Sequence, residues 1–126
     1  MVKISAEPID PAKVYDLIAR SRAGSVVLHY ALVKPMAGVG GTTSWIDFAA
    51  SDATEAELRE IAADLAAEFS VANVLLIRRT GRIGLGEIIS LVAASSPNSE
   101  DAFAVCKQGI SRLKKMKTIV KNEVHG

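Results

Sequence analysis

The sequence predicts an α+β domain with a largely antiparallel sheet, and three observations carry that prediction. Strand-like and helix-like segments follow the mixed order β-α-β-β-α-β-β-α-β instead of regular βαβ units. The longest apolar runs are strand-sized, too short to span a bilayer. The chain has 126 residues, 49% apolar and 23% charged, which suits one domain with its own core, expected to span residues 1–126.

Taken in order, Val2–Ala6 reads as a short β entry. Asp10-Pro11 starts a helix, with an acid at the N-cap and proline in the first turn. Val14, Leu17 and Ile18 then recur at helical spacing, and Gly24 closes the element. Ser25–Val33 is apolar on both faces and reads as a central strand. Lys34–Gly41 is expected to be a mobile loop, because Gly38, Gly40 and Gly41 add backbone freedom. Thr43–Ala49 is a strand with Trp45 opposite Ile46 and Phe48 in the alternation.

Asp52 and Glu55 have capping-box spacing. Leu58, Ile61, Leu65 and Phe69 then fall on one face of an amphipathic helix from about Thr54 to Phe69. Val71–Arg79 is a strand ending in two arginines. Gly81, Gly84 and Gly86 punctuate a turn, and Glu87–Ala94 is the next strand. Ser95–Ser99 reads as a loop and cap before a helix from Ala102 to about Met116, with Phe103, Cys106, Ile110 and Leu113 roughly on one stripe. The β-branched run Thr118–Val120 makes a last short strand.

Several function classes are disfavoured. A net charge of +1 gives no global signature of nucleic-acid binding. Gly38, Gly40 and Gly41 are not followed by Gly-Lys-Ser/Thr, so no P-loop is present. Gly81, Gly84 and Gly86 lie between two strands, which excludes a dinucleotide fingerprint. His29 and His125 are far apart, and with one cysteine they offer no metal constellation. His29 reads as a core or interface histidine, and Cys106 as a core residue. A single cysteine and the lack of a signal-peptide pattern fit a cytoplasmic protein.

Charge is unevenly placed. Between Ile46 and Ser70, Asp47, Asp52, Glu55, Glu57, Glu60, Asp64 and Glu68 face only Arg59. From Asp101 onward Lys107, Arg112, Lys114, Lys115, Lys117 and Lys121 outnumber Asp101 and Glu123. An acidic helix and a basic end imply two surfaces with different partners, or one contact between them. Lys114, Lys115, Lys117 and Lys121 surround a helix-to-strand junction. Such a cluster either holds an anion or tunes one lysine for acid/base or nucleophilic work, or it is a solvated end complementing the helix dipole. Arg78, Arg79 and Arg82 leave a similar choice between an anion grip and exposed strand-end arginines.

A series of short stretches resembles, in order, the catalytic (large) subunit of molybdopterin synthase, the MoaE family. They are Gly24-Ser25-Val26-Val27 with Lys34 at the strand end, then Ile46-Asp47-Phe48, then Ile77-Arg78-Arg79-Thr80-Gly81-Arg82-Ile83 with Gly86-Glu87. Ala102-Phe103, Leu113-Lys114 and Lys121-Asn122-Glu123 complete the series. The resemblance implies an α/β-hammerhead-type fold and a homodimer. It also implies a small ubiquitin-like sulfur-carrier subunit with a C-terminal Gly-Gly, bound to each large subunit to make a heterotetramer. The reaction it implies is transfer of sulfur from the carrier's thiocarboxylate to cyclic pyranopterin monophosphate, forming the dithiolene of molybdopterin, with no cofactor. Lys114 is then the central catalytic lysine, beside the carrier tail, and Lys121 its partner. Lys34, Arg78, Asn98, Ser99 and Lys117 are the substrate-binding candidates. The family usually has arginine where Lys34 stands and His-Arg where Asn98-Ser99 stands, so part of the phosphate grip is changed. The alternative is a non-enzymatic or altered-specificity relative that keeps the dimer and the carrier-binding groove.

Overall fold

A computed structural model describes residues 1–19, 23–35, 37–38 and 41–125. The elements run β1 (Val2–Ser5), α1 (Pro11–Ala19), β2 (Ser25–Leu32), β3 (Ala37–Gly38), β4 (Gly41–Ala49), α2 (Thr54–Glu68), β5 (Asn73–Arg79), β6 (Gly81–Gly84), β7 (Ile88–Ser96), α3 (Ser99–Lys114) and β8 (Val120–His125). One sheet has the order β1-β5-β7-β2, antiparallel except for the β1–β5 pair. In the other, β4 pairs with β3, β6 and β8, all antiparallel. The fold class is the α+β arrangement that the sequence predicts.

Strand alternation sorts the first sheet into two faces. Val74, Leu76, Val92 and Ala94 point toward α2 and α3, packing with Leu58, Ile61, Leu65, Val105, Cys106 and Leu113. Leu75, Ile77, Leu91 and Ala93 point the other way, under Val14 and Ile18 of α1. A third cluster, Val33, Ile46, Phe48 and Ile83, lies where β4 and β6 meet the end of β2. Helix α3 approaches β7 unusually closely, because a Cβ on Gly109 would lie 2.9 Å from Val92 Cγ1.

Several expectations are corrected. Ser25–Leu32 is an edge strand: β2 pairs with β7 on one side and with nothing on the other among the described residues. Apolar side chains on both faces record what covers a strand, not how many strands flank it, and here Tyr30 and Leu32 remain exposed. Phe103 is off the buried stripe at 64% exposure, and α3 buries Ala102, Val105, Cys106, Gly109 and Leu113 instead. Leu17 is likewise exposed while Val14 and Ile18 are buried.

The Asp52–Glu55 capping box does not form. Ala53 is the N-cap without a side-chain bond, and the Thr54 hydroxyl accepts from Ser51 N–H at 2.9 Å instead. Gly81–Gly84 is a strand before a turn, paired with Trp45–Phe48, and the last strand starts at Val120 instead of Thr118. In the stretch expected as a loop, Ala37–Gly38 pairs with Gly41–Thr42, while Met36, Val39 and Gly40 lie outside the described residues.

Candidate active site

A cavity of about 550 Å³ opens where the two sheets and the C-terminus of α3 meet. Its floor is the last row of the first sheet on the α3 face. The register places Arg78 of β5 beside Ser90 of β7, and Ser90 beside Ala31 of β2, with all three residues lining the cavity. The row below it is Leu76, Val92 and His29, the edge of the apolar core. One wall comes from Ile110, Leu113 and Lys114 of α3 and from Met116 just beyond it. The opposite wall is Ile46 and Phe48 of β4 with Ile119, Lys121 and Glu123. Phe48 pairs with Lys121, and Ile46 with Glu123, so β8 delivers alternate residues to the cavity while Val120 stays 68% exposed. Lys34 completes the rim after β2.

Lys34, Arg78, Lys114 and Lys121 thus converge from four parts of the chain. Lys121 Nζ pairs with Glu123 Oε1 at 3.0 Å, as residues two apart on one strand face can. Among the described residues Lys34, Arg78 and Lys114 form no ion pair. Leaving His29 aside, four positive groups face one negative group among the described residues of the lining.

Arg78 differs in kind from the lysines. It is only 6% exposed, whereas the lysines are exposed, and its guanidinium carbon lies 4.9 Å from the Phe48 ring centroid. Its Nε is buried without a hydrogen-bond partner. Burial lowers its pKa from the ordinary arginine value, since desolvation disfavours the charged form. The neighbouring Arg79 is also buried, but its Nη1 meets Glu87 Oε2 at 2.6 Å, so that charge is neutralised within the fold.

The junction between Lys114 and Lys121 is held from α2. Glu57 accepts from Lys117 N–H at 2.9 Å, from Thr118 N–H at 3.1 Å and from the Thr118 hydroxyl at 2.6 Å. Thr54 donates to the Thr118 carbonyl at 3.1 Å. Partial burial raises the Glu57 pKa, but the bonds from Thr118 and Lys117 outweigh it and hold the carboxyl below its usual value. Arg112 and Asp64 add a second link between α3 and α2 at 3.1 Å. The acidic helix and the basic end therefore contact each other.

Asn98, Ser99 and Lys117 do not line the cavity. Asn98 caps α3, accepting from Asp101 N–H at 2.8 Å. The 16-residue helix separates it from Lys114 by about 24 Å at 1.5 Å per residue. Lys117 is exposed outside the cavity, with its backbone N–H engaged by Glu57. His29, Ser90 and Glu123 line the cavity although the sequence did not mark them as site residues. The period-two alternation from Lys121 to Glu123 was the available signal for one of them. Cys106 is buried and its thiol pushed up to about 11 by burial, as suits a core residue.

The family model described as MoaE protein matches residues 4–116. The chain belongs to the MoaE family. Among its relatives, the molybdopterin synthase catalytic subunit of Nostoc sp. is 29% identical over 95% of this chain and 73% of that protein. The catalytic subunit from Staphylococcus carnosus is 27% identical, over 97% and 81%. The crystal structure of molybdopterin synthase from Staphylococcus aureus superposes with a TM-score of 0.88 at 23% identity, over 98% of this chain and 90% of that one, so the MoaE fold is shared. A chain from a complex of subunits 1 and 2 of molybdopterin-converting factor of Helicobacter pylori matches with a TM-score of 0.76 at 14% identity, over 97% and 83%.

Proposed function

We propose that this MoaE-family chain is a molybdopterin synthase catalytic subunit. It would transfer sulfur from a thiocarboxylated ubiquitin-like carrier to cyclic pyranopterin monophosphate. The observation that carries this reading is the convergence of Lys34, Arg78, Lys114 and Lys121 on one cavity. Both reactants are anionic, at the donor tail and at the phosphate, and a cationic cavity concentrates both. Lys114, at the end of α3 and without an ion-pair partner among the described residues, is the group for proton transfer and for stabilising the oxyanion that forms when water attacks the carrier–pterin thioester left by sulfur attack, expelling the pterin thiolate and releasing the carrier as its carboxylate. Lys121 is held by Glu123 on the opposite wall and orients the substrate.

The assembly proposed is a homodimer, with a carrier subunit on each copy. The open edge of β2, exposed Leu32 at 51% and exposed Phe103 on the helix that packs over β2 supply an apolar, edge-strand surface of the kind proteins cover. Contacts from Asn98 and Ser99 to a substrate would then come from another copy, since both lie at the far end of α3 from the cavity of their own chain.

The test is single-turnover formation of dithiolene product with thiocarboxylated carrier. Lys114→Ala is expected to lose about 10²–10⁴-fold and Lys121→Ala less, about 10²-fold. Lys115→Ala, whose side chain lies outside the cavity, is expected to change the rate modestly and mainly at low salt. Equal small losses in all three variants would refute the assignment of a central lysine. No product from the unaltered chain, with carrier binding retained, would favour the non-enzymatic relative.

A further inference from the structure

Building on the sulfur-transfer reading, we infer that Arg78 is the anchor for the substrate's phosphate, seated at the cavity floor with the Ser90 hydroxyl beside it. Arg78 is the one of the four cavity cations that is buried; its Nε has no hydrogen-bond partner, and it forms no ion pair among the described residues. A buried charge is retained against its desolvation cost when something neutralises it. Arg79, next in sequence, shows the alternative within the same strand, where Glu87 neutralises it from inside the fold. No carboxylate of the described chain does this for Arg78, and its side chain faces the cavity. The missing counter-charge therefore belongs to the ligand.

Position and geometry favour the phosphate over the carrier tail. Lys114, on the wall formed by α3, is where the carrier's sulfur and the pterin carbon it attacks meet in this reading. The floor then receives the substrate's phosphate, whose binding energy positions the adjoining side-chain carbon for attack. A cyclic phosphate shares its charge between two equivalent non-bridging oxygens, which matches the two-pronged guanidinium better than a single ammonium. The Phe48 ring at 4.9 Å holds the guanidinium plane without using its N–H groups. Ser90, buried and directly across the register from Arg78, adds a hydroxyl donor to the same floor.

The experiment compares the full chain with Arg78→Met and Arg78→Lys. Titration calorimetry with cyclic pyranopterin monophosphate measures the anchor without turnover. KM and kcat with saturating thiocarboxylated carrier, and the Kd of the unthiolated carrier, complete the set. Arg78→Met is expected to weaken pterin binding and raise its KM by about 10–100-fold, the loss of one charge-assisted contact, with a smaller fall in kcat. Arg78→Lys should fall between, and carrier Kd should move less than about twofold. Melting of Arg78→Met is expected at or above that of the parent, because an unpaired buried cation has been replaced by an apolar chain of similar length. Unchanged pterin affinity in Arg78→Met would overturn the assignment. So would weakened carrier binding with pterin affinity intact, which would give Arg78 to the tail carboxylate, and so would a parent chain that binds no pterin. An inactive parent whose pterin binding still depends on Arg78 would sink the sulfur-transfer reading and leave the anchor standing.

Discussion

Replacing Glu57 should loosen the junction that carries both central lysines. Its carboxylate takes three donors, Lys117 N–H, Thr118 N–H and the Thr118 hydroxyl, at 2.6–3.1 Å. A hydrogen bond to a charged acceptor contributes about 1.5–3 kcal/mol when well shielded. This cluster is partly exposed, so water recovers much of what Glu57→Ala removes. A net loss of about 1–2 kcal/mol is the working figure, which lowers the melting temperature of a chain this size by roughly 4–10 °C. Glu57→Gln should cost less at Thr118, since one oxygen remains, but it turns an amide N–H toward Lys117 N–H.

The pH dependence gives a sharper check on Glu57. Its folded-state pKa lies below the ordinary value of 4.5, so its contribution is fully present above that value and disappears as pH falls through the lower, folded-state value. Urea denaturation of parent and Glu57→Ala at pH 7, 5, 4 and 3 should show a stability gap that is constant at pH 7 and 5 and closes toward pH 3. A gap of the same size at pH 3, or none at pH 7, would refute the clasp. Turnover should fall together with stability while carrier affinity changes little.

Two further predictions concern packing and assembly. Gly109→Val should destabilise by about 1–3 kcal/mol in chemical denaturation, because even the first added carbon meets Val92 Cγ1 at 2.9 Å and Leu65 Cδ1 at 3.5 Å; pairing it with Val92→Ala should restore part of the loss. Light scattering of the purified chain at micromolar concentration should give a dimer, and Tyr30→Lys, exposed on the edge strand β2 and outside the cavity, should shift it toward monomer. A monomeric parent chain would count decisively against the assembly.

Local pattern carried far in this chain. The spacing of Leu58, Ile61 and Leu65 predicts α2 and its buried face, whereas Lys114 and Lys121, which share one cavity, are singled out from the basic cluster only by the family resemblance. What stayed hidden depended on tertiary partners. Nothing local tells Ser25–Leu32 that it has one neighbour instead of two. Phe103 looked like core by residue type, yet α3 is rotated to set Gly109 against Val92, which puts Phe103 outside. Glu57 read as one more acid on an acidic helix, because its partners are backbone N–H groups sixty residues away. Arg78 and Arg79 were indistinguishable as a dipeptide. Strand parity sends one into the cavity and the other to Glu87.

The ladder between β4 and β8 turns the interval between the two lysines into a condition of odd and even. Ile119, Lys121 and Glu123 all reach the cavity, while Val120 is left exposed. One residue inserted between Lys115 and Val120 would therefore send Lys121 and Glu123 outward together, unless the pairing with Phe48 held and the slack bulged upstream. Two inserted residues would restore the phase. Length variation in this short segment is thus tolerable in steps of two, and a homologue with an odd insertion must either bulge the segment before its second lysine or have given up that lysine's place in the cavity.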